Sequence, residues 1–113
     1  MPNSSQSAFI PQGPTIAVVA TTPAPVGVQA PSATSQSGQY RVVNSGTTTV
    51  FLGVGPTSLA AQASAVAPIA GSPSSAIPLL PGAVEILSFG ELAFFSGLSS
   101  AAATVYITPG SGV

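Results

Sequence analysis

Apolar positions along this chain fall in short β-branched runs broken by Pro, Gly and Ser, and no long stretch repeats them at helical spacing. Residues 39–44 (Q-Y-R-V-V-N) and 47–54 (T-T-T-V-F-L-G-V) flank Asn44-Ser45-Gly46. Asn and Gly accept positive φ at little strain, so the pattern predicts a β-hairpin over 39–54. Gly53 and Gly55 mark a bulge or strand end, and Pro56 stops the run. Residues 84–89 (V-E-I-L-S-F) read as a strand after the Pro81-Gly82 turn, 92–95 as a shorter one, and 104–108 (T-V-Y-I-T) as a strand ended by Pro109-Gly110. Residues 76–80, fenced by Pro78 and Pro81, suit an edge strand or a crossing segment. The alanine-rich stretch 58–67 suits a short helix with Pro68 beyond its end, and equally a loop or a closely packed interface.

Before Gly38 the texture differs. Pro2, Pro11, Pro14, Pro23, Pro25 and Pro31 fall in a charge-free stretch of Ser, Thr, Ala and Gln, which favours extended or polyproline-like backbone. Residues 15–21 (T-I-A-V-V-A-T) are the exception, a β-compatible run able to pair with a sheet edge. Ile16, Val18, Val19, Val26 and Val28 are poor choices for a solvated tail. They favour an arm that crosses a neighbouring subunit and orders there. The chain thus divides into an extended Pro/Ser/Thr/Ala-rich N-terminal arm, 1–38, and a β domain, 39–113. Short strands with Gly/Pro turns between them predict an all-β fold, a small antiparallel β-sandwich or jelly-roll-like barrel.

Charge changes this picture most. Among 113 residues only Arg41, Glu85 and Glu91 are charged, and the net charge is -1. Soluble surfaces usually carry about a quarter to a third charged residues, and a net charge near zero promotes association. A small core normally needs disulfides, metals or oligomerisation. With no Cys and no His, oligomerisation is the remedy that remains. At 45% hydrophobic residues the chain is too apolar for wholesale disorder. It has no run near the ~18 apolar residues that span a bilayer, and residues 1–10 lack the basic and apolar regions of a secretory signal, so no membrane partner is expected. One arginine makes no phosphate-binding patch, so no nucleic-acid partner is expected either.

Catalysis is not expected. The common general base and the thiol nucleophile are missing, and Glu85 and Glu91 are separated by strand and turn with no supporting acid/base groups. Two glutamates make a weak hard-cation site. Gly53-Val54-Gly55 and Gly110-Ser111-Gly112 lack the remainder of any phosphate motif. No catalytic, cofactor-binding or metal residue, and no cofactor, is assigned. Two readings of Arg41 stay open: an exposed residue on a solvent face, or an inter-strand or inter-subunit ion pair with Glu85 or Glu91. Tyr40, Phe51, Phe89, Phe94, Phe95 and Tyr106 are expected to fill core or interface.

Three segments carry a resemblance: Tyr40-Arg41-Val42-Val43-Asn44-Ser45-Gly46-Thr47, Pro81-Gly82-Ala83-Val84-Glu85 and Ala103-Thr104-Val105-Tyr106-Ile107-Thr108-Pro109-Gly110. Through them, residues 39–113 resemble small virion proteins of tailed bacteriophages, most of all capsid decoration or cement proteins. The resemblance implies a β-sandwich or jelly-roll-like unit, a homotrimer, seated on the major capsid protein at capsomer junctions. It also implies a place on the capsid surface of the virion, with assembly in the host cytoplasm. Two alternatives remain, a tail, neck or fibre component of the virion, or a surface-displayed binding module. The resemblance maps no binding residue onto this chain.

Overall fold

The computed structural model of the chain describes residues 9–11, 13–30, 39–89 and 93–111. In chain order the elements are β1 (Ile10–Pro11), β2 (Ile16–Ala20), β3 (Val28–Gln29), β4 (Gln39–Asn44), β5 (Val50–Gly55), α1 (Ser58–Ser64), β6 (Ile77–Leu79), β7 (Val84–Ser88), β8 (Phe94–Leu98) and β9 (Ala103–Ser111). They build two antiparallel sheets. In the first, β9 lies between β4 and a lane shared by β1 and β2, and β7 closes the far side of β4. The second runs β3-β8-β5-β6. Strand side chains alternate between faces, so Val18, Val42 and Ile107 of the first sheet meet Leu52, Leu79 and Phe95 of the second in a closed apolar core. The fold is an all-β sandwich.

The hairpin expected over 39–54 does not form. Both strands are present, but β4 pairs with β7 and β9 while β5 pairs with β6 and β8, so 45–49 arches from one sheet to the other. Tyr40 and Val42 on β4, and Val50 and Leu52 on β5, are all buried. An arch lets these two apolar faces oppose each other across the ~10 Å between sheets. Asn44 fixes the arch. Fully buried, it donates through Nδ2 to the carbonyls of Thr48 (3.0 Å), Leu79 (2.9 Å) and Leu80 (3.2 Å), and its Oδ1 accepts from the Gly46 amide at 3.0 Å. Its own backbone bonds Ala83 and Gly82. One side chain therefore ties the β4–β5 arch to the β6–β7 turn, where Gly82 takes φ +79°.

The described part of the presumed arm belongs to the sandwich. β2 pairs with β9 from Ile16↔Ile107 to Ala20↔Ala103, so the β-compatible run does find a sheet edge, in the same chain. The chain then passes to the second sheet: the Thr21 amide donates to the Gly97 carbonyl, and β3 pairs Val28↔Phe95. Val18, Ala20 and Ala30 are buried. Apolar side chains need a dry face, and the nearest one is offered by β9 and β8.

Strand β9 also runs past the stop expected at Pro109-Gly110. Pro109 lies opposite Tyr40 on the β4 side, and on the other side the ladder pauses between Ile107↔Ile16 and Gly110↔Pro11. A residue without an N–H is tolerated at such a gap. The helix forms where the alanine-rich stretch predicts one. Thr57 caps it, its Oγ1 accepting from the Ala60 amide at 3.1 Å. Gly53 is a packing residue and not a strand end, since a Cβ there would collide with the Ala61 carbonyl and the Ala65 amide of the helix side. Helix α1 and the segment 24–27 cover the outer face of the second sheet, through bonds from Gly27 N to Ser58 O (3.1 Å), Gln62 Nε2 to Ala24 O (2.9 Å) and Ser96 Oγ to Pro25 O (2.6 Å).

Two outcomes test this architecture. Asn44→Ala leaves buried carbonyls without a donor and is expected to lower unfolding free energy by about 2–3 kcal/mol in a urea titration. A chain beginning at Gln39 loses the partner of two sheets, so its stability should fall by at least about 3 kcal/mol; an unaltered melting curve would contradict the pairing of β2.

Candidate functional site

The outer face of the first sheet, unlike that of the second, has no described element over it. Residues opposed in a ladder project from the same face, so the register defines its rows. One row is Ala17–Tyr106–Val43–Val84, entirely apolar apart from the tyrosine hydroxyl. Beside it runs Thr108–Arg41–Ile86, extended by Thr15, whose hydroxyl lies 2.7 Å from that of Thr108. Val19 opposite Thr104 makes a third. Val19 and Val84 are each 49% exposed and Tyr106 is 44% exposed, so large apolar groups of three strands meet water on one surface. The chemistry on offer is apolar contact, hydroxyl hydrogen bonds and one guanidinium.

Arg41 and Glu85, two of the three charges expected to matter, take different faces. Arg41 projects from this outer face, opposite Ile86. Glu85 lies opposite the fully buried Val42, hence on the core-side face, yet it is exposed because β7 is the edge strand. Neighbouring strands thus carry Arg41 and Glu85 on opposite faces, and among the described residues no ion pair joins them. Glu91 lies outside the described residues, so its part in the expected pairing does too. A charge turned inward on an edge strand hinders another strand from docking there. That role was missed in the sequence because which face Glu85 takes follows only from register.

The aromatics divide likewise. Tyr40, Phe89 and Phe95 form one cluster, with Tyr40 and Phe95 edge to face at 5.1 Å and Phe89 and Phe95 at 5.8 Å. Tyr106 is the exposed one. A cleft of about 440 Å³ opens near Val54, Pro56, Ile77 and Phe89, where Ser75 supplies the side-chain hydroxyl and no described lining residue ionises. Among the described residues no group of three His, Cys, Asp or Glu side chains gathers, and no helix is long and apolar enough to cross a membrane. Compared with known proteins, the chain matches no family model, no curated protein and no solved structure.

Glu85→Val should convert β7 into a freely pairing edge. Light scattering from the concentrated variant is expected to rise well above that of the parent chain, and equal scattering would remove the guarding role.

Proposed function

We propose that this chain is a non-enzymatic virion structural protein, a capsid decoration or cement subunit that docks on the major capsid protein at capsomer junctions. The observation that carries the reading is the open outer face of the first sheet, with its apolar row and, among the described residues, a single charge, on a molecule whose other sheet is covered by α1 and the 24–27 segment. The virion resemblance of 39–113 supplies the kind of partner. Threonine hydroxyls and apolar side chains bind a protein surface without the large desolvation penalty of burying ions. Each contact is modest, and repetition over a closed lattice multiplies it.

Heads lacking the chain provide the test. Added protein should saturate them at a fixed stoichiometry and raise the temperature at which they open. Because Arg41 is the only charge on the docking face among the described residues, the affinity should change little between low and high salt. Tyr106→Glu, an exposed substitution, should abolish binding while leaving the circular dichroism spectrum intact. Decoration of tails instead of heads, or full binding by Tyr106→Glu, would reject the reading.

A further inference from the structure

An unpaired sheet edge is a template for another strand unless something blocks it. The edges of this sandwich are unequal. β7 carries Glu85 on its core-side face. β6 is three residues long with Pro78, which has no N–H, at its centre. β3 and β1 are two residues each, and β1 includes Pro11. The remaining edge is β2, Ile-Ala-Val-Val-Ala, five residues with no charge, proline or glycine. Among the described residues its ladder is with β9 alone.

We propose that β2 pairs antiparallel with β2 of a second copy about a two-fold axis, joining the first sheets of two copies into one continuous sheet. The occupant follows from the edges themselves. In a second copy every other described edge is blocked or very short, so the strand it can present is its own β2. A two-fold at Val18 sets Ala17 against Val19 on the outer face, Ile16 against Ala20 on the core side and Val18 against its own copy. Each contact is apolar, a smaller side chain meets a larger one at both unlike pairs, and no like charges face each other. With a net charge of -1 per chain, little repulsion opposes the approach. At Thr21 the chain turns to bond Gly97 of the second sheet, which limits the added strand to the length of β2. The apolar row Ala17–Tyr106–Val43–Val84 then runs into the Val19–Thr104 row of the second copy, and the open face doubles in width. An isologous contact closes with two copies, so the particle is a dimer and not the trimer that the resemblance implies. The pairing rests on the β2 edge alone and stands whether or not the open face meets a capsid.

Sedimentation equilibrium of the full chain tests it. The parent chain is expected to be a dimer. Val19→Lys, at an exposed position, should raise the dimer dissociation constant on the order of tenfold or more, because each dimer gains two ammonium groups on adjoining strands. Leu59→Lys, on the exposed side of α1, should leave it unchanged. The chain has no native cysteine, which permits a second measurement independent of the lysine variant's folding. Mixed under mild oxidation, Ala17→Cys and Val19→Cys chains should form a covalent dimer, since directly opposed strand residues lie about 4.5–5.5 Å apart, within disulfide reach. A monomeric or trimeric parent chain, an unweakened Val19→Lys dimer, or no crosslinking between the two cysteine chains would overturn the proposal.

Discussion

The sandwich depends on one stretch of backbone, residues 16–30, bonding to both sheets in turn. β9 is satisfied on its β4 side by a long ladder, but its other edge and the free edge of β8 would lie open without this segment. By pairing first with β9, crossing at Thr21 and then pairing with β8, the segment seals the same flank of both sheets. It also delivers Val18, Ala20 and Ala30 to the interior. A chain with so few charges has little else to keep two open flanks from meeting foreign strands. Closure in the same molecule is the direct solution, and the strand that provides it becomes the new edge.

Much of the local structure was legible from residue type. β-branched runs became strands, the alanine-rich stretch became α1, and Pro78 marked an edge strand. Partner choice was not legible. Asn44-Ser45-Gly46 reads identically in a hairpin and in an arch, because the side-chain bonds that decide between them go to carbonyls of Leu79 and Leu80, remote in sequence. Pro109 reads as a stop because the gap that accommodates it is made by another segment. The stretch before Gly38 reads as an arm because proline spacing is visible while the open flank of β9 is not. For the candidate site, sequence supplied the scarcity of charge and the three residues concerned. It did not supply the fact that Arg41 and Glu85 take opposite faces, since one position of register reverses every side chain.

The two outer faces give the molecule a front and a back. The second sheet is roofed by α1 and the 24–27 segment, held by backbone and side-chain bonds. The first presents one row that is apolar apart from the Tyr106 hydroxyl, flanked by rows that carry threonine hydroxyls and Arg41. Such a surface suits recognition by shape and close contact. Long-range electrostatic steering requires a charged field that these residues do not generate.

The glycine–alanine contact between β5 and α1 has a thermal consequence. Gly53, Gly55, Ala60 and Ala61 let helix and strand backbones approach closely, and none of these side chains has a rotamer to surrender on folding. Leucine or methionine contacts freeze side-chain torsions, and that entropic penalty grows with temperature. The glycine–alanine seam itself is exempt from that component, so warming should loosen it less than it loosens a joint built from long, flexible residues.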